Sequence, residues 1–448
     1  MNGAPLRVAI VGSGISGLAA AHSLRGHADV TLFEAGDYFG GHTHTVDITL
    51  PTPQGPVTHG VDTGFLVFNE RTYPQLINLF AELGVETARS DMSFSVKVPD
   101  VPGNEAGGRA RGVEWSGSSL NSVFAQRGNL VRGKFLRMLA DIVRFNRITT
   151  ALAESGADAD AAMLQPLGDF LHAQKFSDEF RHWYFLPMMG CIWSCPTAQM
   201  LQFPVATMIR FCHNHGLIQI THRPQWWTVK GGARHYVAKI VSGIRDKRLN
   251  TPVRRIERDA SGVRVVTDGQ TGHFDKVVLA THSDQALGLL SHASAAERAV
   301  LGAIRYQPNR AVLHTDASVL PRRKLAWAAW NYERAPATGT DTGRDSAGVC
   351  LHYLLNRLQP LPFTQPVVVS LNPLREIARK HIMGEYDYTH PVFDTAAIQA
   401  QKELPALQGL QHTYFCGAWA GYGFHEDGLK SGLQAARLLL AHQPLAAP

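Results

Sequence analysis

A chain of 448 residues exceeds what one ordinary core organises, so two domains are expected. Hydrophobic residues at 45% and charged residues at 18% exclude a disordered chain, and the lack of a run of about 18 apolar residues argues against a membrane-spanning helix. The formal net charge of +6 leans toward contact with anionic material.

The chain opens on VAIVGSGISGLAAAHSLRGHADVTLFEAGDYFGGHTHTV, residues 8–46. Val8 to Val11 reads as a strand, the glycines Gly12, Gly14 and Gly17 as a turn into a helix, and a second strand ends on Glu34. Each glycine has a mechanical task. Gly12 permits the tight turn, Gly14 lets a diphosphate approach the backbone, and Gly17 lets helix and strand pack closely. The diphosphate faces the unpaired N–H groups of the helix N-terminus. Glu34 stands about 20 residues on, where a carboxylate accepts ribose hydroxyls. A secretion signal is not expected from Val8 to Ala21, because no small-residue cleavage site follows.

Residues 58–68 read as another strand near the cofactor, with Asp62 and Gly64 at a turn. Helical texture follows, and PDVPGNEAGGRARG (99–112) reads as an exposed loop. Residues 120–220 are mostly helical. Within them, 128–148 is amphipathic: Val131, Phe135, Met138, Leu139, Ile142 and Phe145 share one side at helical spacing, while Arg132, Lys134, Arg137, Arg144 and Arg147 share the other. Such a helix either lies on an anionic membrane or packs inward with wet arginines. His213 and His215 lack a third ligand for a metal, so no metal is expected and a surface or helix-cap position is. Cys191, Cys195, Cys212, Cys350 and Cys416 form neither a zinc pattern nor a disulfide framework, which points to reduced thiols and a cytoplasmic location.

From Trp226 a new segment begins and leads through a hairpin to a buried strand, KVVLA. The stretches at 182–195, 225–227 and 325–332 hold six of the eight tryptophans. Trp193, Trp327, Trp330 and Tyr332 are the candidate walls of an apolar substrate pocket. The last segment, CGAWAGYGFHEDGLKSG, supplies a second glycine-rich strand-to-helix turn.

Three features favour FAD over NAD. The single dinucleotide motif sits at the beginning of the chain, Gly40 and Gly41 let backbone pass close to an extended cofactor, and the C-terminal turn offers N–H groups that a simple NAD domain does not need. The fold expected is α/β: a discontinuous Rossmann-type FAD-binding domain (1–70, 226–285 and 410–448) with an inserted α+β substrate domain (71–225 and 286–409).

With VAIVGSGISGLAAA, EAGDYFGGHTHTV, DTGFLVFNERTYP, MSFSV, GCIWSCP and FCGAWAGYGFHEDGLKSGLQAA in view, the chain resembles the superfamily of FAD-dependent amine oxidases, phytoene desaturases and protoporphyrinogen oxidases. More narrowly it is similar to a bacterial branch that includes flavin desaturases of methyl-branched and furan fatty acid synthesis, whose genes often neighbour lipid methyltransferases. The resemblance implies an amine-oxidase-like fold and FAD phosphates at Gly12, Gly14, Ile15, Ser16 and Gly17. It places ribose at Glu34 and Ala35, and adenine at Val253. The flavin falls near Gly40, Gly41, His42 and Thr43, near Gly417, Ala418 and Trp419, and near Asp427 and Gly428. His42 stands where many relatives carry arginine. His44 and His42 are expected to touch the cofactor.

Carbon–hydrogen oxidation by a flavin asks the protein mainly for placement and exclusion of water, plus a base when a second proton leaves. His425 and Glu426, in the C-terminal turn, are the candidate catalytic groups. Lys230 joins them because related oxidases place a lysine near the flavin, although a solvated lysine is the simpler expectation. Three functions stand open: oxidation of an apolar substrate such as a phospholipid acyl chain, amine oxidation, and non-catalytic flavin binding beside a lipid methyltransferase. No nucleic-acid partner is expected, and contact with the inner face of a membrane is an open expectation.

Overall fold

The computed structural model describes residues 5–98, 112–155, 165–193, 200–218, 223–334 and 349–442. Most of the 99–112 loop and Cys195 lie outside them. The apolar run after Arg7 becomes the centre of a parallel five-stranded sheet, ordered Asp246–Arg248, Asp29–Phe33, Arg7–Val11, Lys276–Leu279 and Thr413–Phe415. Val8, Ala9, Ile10, Val277, Val278 and Leu279 are fully buried. Continuous rather than alternating hydrophobicity is what a strand covered on both faces requires. The sheet therefore draws its strands from three distant parts of the chain. The hairpin Val253–Asp259 and Gly262–Thr267 gains a third strand, Thr271–Phe274, beside it.

The intervening sequence builds a second, mixed sheet of seven strands. Its order is Ile382–Val392, Arg305–His314, Val368–Leu371, Val349–Leu354, Trp330–Arg334, Phe94–Val98 and Val113–Ser116. Parallel strands joined by helices in one place and a largely antiparallel sheet in the other give the α/β architecture with an inserted α+β part.

The helix Gly133–Glu154 packs inward. Phe135, Met138 and Phe145 are buried, and the Phe145 ring meets Phe180 and Phe185 at 5.3 and 4.8 Å. Val131, expected on that apolar face, instead precedes the helix in a 3₁₀ turn and is 88% exposed. Among the described residues no helix is long and apolar enough to cross a membrane. Cys212, Cys350 and Cys416 are free and buried.

Candidate active site

The first turn has the conformation its glycines permit. Gly12 adopts φ +100°, and its N–H donates to the Phe33 carbonyl. A Cβ on Gly17 would stand 1.9 Å from the Gly12 carbonyl oxygen, so only glycine lets the helix Ile15–Leu24 lie this close to the strand. Gly14 differs, because a Cβ there would meet nothing within 4 Å. That open space is the floor of a groove. Glu34 closes one end, where one carboxylate oxygen accepts from the Ser13 amide and hydroxyl at 2.9 and 2.5 Å and the other from the Gly36 amide at 2.9 Å. The Gly40–Gly41 pair folds back onto this turn: Gly40 N–H donates to Ser13 Oγ at 3.2 Å and Gly41 lies against Gly14.

The final helix, His425–Ala441, runs beside the first. A Cβ on Gly432 would fall 2.1 Å from the Ser16 carbonyl oxygen, and one on Gly428 would fall 2.7 Å from Ile15. Two helix N-termini thus point at one groove, each with free N–H groups and the positive end of its dipole. Trp419 forms part of the wall and donates from Nε1 to the Thr281 carbonyl at 3.0 Å.

One cavity of about 780 Å³ carries on from this groove into an aromatic chamber. Of the residues expected at the cofactor, Gly12, Gly14, Ile15, Ser16, Glu34, Ala35, Gly40, Gly41, His42, Val253, Gly417, Ala418 and Trp419 line it. Gly17, Thr43, Asp427 and Gly428 stand just behind the wall. Asp427 caps its helix by accepting from the Phe424 amide at 3.0 Å, and burial raises its pKa to about 6. His44 also stands behind the wall, bonded through Nδ1 to Tyr388 Oη and Thr63 Oγ1 and stacked on Tyr38 at 4.3 Å.

The three candidate catalytic residues separate. His425 lines the cavity, stacks on Phe65 at 3.9 Å and bonds through Nε2 to the Tyr236 hydroxyl at 2.6 Å, which in turn meets Thr43 Oγ1 at 2.5 Å. Burial lowers the His425 pKa to about 3. Glu426 points away from the cavity and accepts the Gln75 and Leu76 amides at 3.0 Å each, capping the helix Pro74–Leu83. Lys230 is 63% exposed and pairs with Glu86 at 2.8 Å, which gives it no reach into the cavity. Lys230 stands one residue past the strand Trp226–Val229, and its exposed ammonium is matched by the likewise exposed Glu86 carboxylate.

The chamber is built differently from the tryptophan-based expectation. Trp330 lines it and meets Tyr353 edge-on at 4.9 Å, the two being cross-strand neighbours. Trp193 lies one layer back, packed on Phe211 at 4.5 Å. Trp327 joins a separate cluster with Val319, Leu320, Leu354 and Val368, and its Nε1 donates to the Pro321 carbonyl. Tyr332 is buried outside the wall. Their places are taken by Tyr73, Met92, Phe211, His215 and Trp226. His215 is the helix cap foreseen, but it is also part of the wall, stacked on Phe211 at 3.9 Å with its pKa lowered to about 4 by burial. Among the described residues no group of three or more His, Cys, Asp or Glu could hold a metal.

Sequence reasoning missed a histidine cluster between groove and chamber. His42 lies 5.5 Å from His390 and 6.3 Å from His282, ring centre to ring centre. Burial first, then neighbouring histidines (His390, His282 and His425 for His42, His282 for His390), lowers His42 to about 3 and His390 to about 4, so both are neutral at pH 7. Their tautomers follow from their partners. Asn309 donates from Nδ2 to His390 Nδ1 at 2.9 Å and to the Gln307 carbonyl, while its Oδ1 accepts from Asn372 Nδ2 at 2.7 Å. Reversing this amide would lose its bonds to Gln307 and to Asn372, whose own Oδ1 is held by the Arg310 amide, so His390 Nδ1 accepts and the neutral ring carries its proton on Nε2 as a donor. His42 bonds to the Thr389 backbone, and its buried Nε2 has no protein partner.

The flavin containing amine oxidoreductase model matches residues 15–351, well over half of the chain. The chain belongs to that family. Among solved structures it is similar to the CLA-producing fatty acid isomerase from P. acnes, with 16% identity, a TM-score of 0.63 and 98% of each chain covered. It is similar to cyclohexylamine oxidase from Brevibacterium oxydans IH-35A at 16% identity and TM-score 0.65, over 98% of this chain and 99% of that one. Putrescine oxidase bound to putrescine matches at 15% identity and TM-score 0.64, over 98% and 99%. At such identities the likeness shows a common fold. No curated protein sequence matches the chain significantly.

The protein is a FAD-dependent oxidoreductase. Its groove fits that cofactor on three counts: the empty space over Gly14, the paired helix N-termini for a diphosphate, and the orphaned His42 Nε2, an acceptor that a cofactor hydroxyl or N–H can satisfy.

Proposed function

We propose that this oxidoreductase removes two hydrogens from adjacent carbons of an apolar chain, a phospholipid-borne fatty acyl group, and leaves a C=C bond. The observation that carries the reading is the chamber wall. Tyr73, Met92, Phe211, Trp226, Trp330 and Tyr353 line it, and among the described residues the only carboxylate lining the cavity, Glu34, stands at the far nucleotide end. An alkyl chain loses nothing on entering such a space, whereas an ammonium ion would be desolvated without a counter-charge.

Bound FAD supplies the two-electron acceptor: one hydrogen leaves the substrate as hydride and the other as a proton. The chain's own part is placement, dryness and the proton. The aromatic walls hold the chain extended and exclude water. His425 takes the departing proton, and the hydroxyls of Tyr236 and Thr43 behind it, each both donor and acceptor, can pass it on. A nitrogen with so low a pKa is a weak base, but hydride loss leaves positive character on the neighbouring carbon and makes that proton acidic. The neutral Nε2–H of His390 offers a fixed donor to negative charge developing between groove and chamber.

Amine oxidation is the second reading, supported by the aromatic walls, which can face a cation, and by the names of two structural relatives. Lipid mass spectrometry of producing cells with and without the gene tests the first reading. It predicts acyl species two hydrogens lighter only when the gene is present, and identical lipid profiles would remove it.

A further inference from the structure

Helix 133–154 hides its apolar face, yet the surface just before it does not. Leu120 is 80% exposed, Leu130 51%, Val131 88% and Leu325 52%. These residues belong to three segments held together by specific bonds. Glu114 accepts the Arg322 and Arg323 amides at 3.0 and 3.2 Å, and its own amide donates to Gln126, the residue that opens the turn Arg127–Val131. Arg127 reaches back to Asn121 in the short helix Leu120–Val123, which contacts the turn Lys324–Ala326.

Cations flank these apolar residues in the chain: Arg127, Lys134 and Arg137 about Leu130 and Val131, and Arg322, Arg323 and Lys324 just before Leu325, all exposed. Among the described residues two acids pair with them, Glu114 with Arg323 and Glu179 with Lys134, and between Glu114 and Asp141 the sequence has no acidic residue. The patch sits at the end of the seven-stranded sheet where Gly117 N–H donates to Phe94 and Trp330 N–H donates to Ser93, so it shares that end with a wall of the chamber.

We propose that this patch docks the protein on an anionic phospholipid bilayer, with Leu120, Leu130, Val131 and Leu325 entering the headgroup region and the six cations meeting lipid phosphates. Charge complementarity selects this occupant: exposed apolar tips flanked by exposed cations suit a negative interface that is itself apolar beneath. The proposal rests on the acyl-substrate reading for its purpose, since it brings the aromatic chamber to the membrane in which acyl chains reside.

The test uses the full-length holoprotein in sedimentation with vesicles of phosphatidylglycerol and phosphatidylcholine, against phosphatidylcholine alone. Binding to the anionic vesicles only, weakened by salt and reduced about tenfold in the double variant Leu120→Ser/Val131→Ser, is the expected result. A protein that stays in the supernatant with both vesicles, or a variant that binds like wild type, overturns it. So does a dimer in analytical ultracentrifugation that the double variant dissociates, because the patch would then face a second copy. Vesicle binding without any oxidation of acyl lipid would count against the function alone, and oxidation of a soluble acyl substrate without vesicle binding would count against docking alone.

Discussion

At the scale of single residues, burial decides what the histidines can do. His42, His390 and His425 have pKa values lowered to about 3, 4 and 3. Below pH 6.5 the unfolded chain takes up protons at these positions while the folded chain does not. Their neutral burial therefore supports the fold fully above pH 6.5 and progressively less as the pH falls from 6.5 toward about 3. Urea denaturation of the apoprotein at pH 7 and pH 5 is expected to show a lower midpoint at pH 5, and His425→Phe should narrow the gap. The same variant keeps the stacking on Phe65 but lacks the nitrogen bonded to Tyr236. It should retain FAD and slow flavin reduction by about 100-fold, read by anaerobic stopped flow. An unchanged rate would return His425 to a structural role.

At the scale of elements, neighbouring glycines make opposite predictions. Gly14→Leu would send a side chain into open groove, so the protein should fold with an unchanged midpoint yet purify colourless. Gly17→Ala would place a methyl on the Gly12 carbonyl and force helix from strand, at a cost of about 3 kcal/mol in denaturant titration. A third element-level contact is the bidentate pair between Arg258, in the hairpin, and Glu297, in the helix Ala295–Gly302, with side chains only 3% and 4% exposed. Glu297→Ala strands a buried guanidinium and should destabilise by about 3–5 kcal/mol. These elements also show what a sequence can reveal. The groove was legible because glycine spacing, strand run and acid lie within one local unit whose geometry is set by backbone sterics. The chamber was much less so. Trp330 lines it, but Trp193 and Trp327 do not, and Tyr73, Phe211 and Trp226 meet there only through long-range packing that local composition does not encode. His390 was invisible for the same reason, since its role depends on Asn309 and Asn372, 81 and 63 positions apart from their respective partners.

At the scale of the molecule, two sheets share one continuous space. The parallel sheet places the nucleotide groove at its C-terminal edge, the position such sheets use for ligands, and the mixed sheet supplies Trp330, Tyr353 and Leu371 to the chamber that joins it. The histidine cluster stands where the two meet. Two helix N-termini and neutral donors stand on one side, and on the other the described residues form an aromatic and apolar wall without a carboxylate.

Anaerobic mixing of the oxidised holoprotein with phospholipid in detergent, and separately with cyclohexylamine and putrescine, tests this arrangement most directly. The yellow flavin absorbance is expected to bleach with the acyl lipid and persist with both amines. Bleaching by the amines while the lipid leaves the colour intact would contradict it.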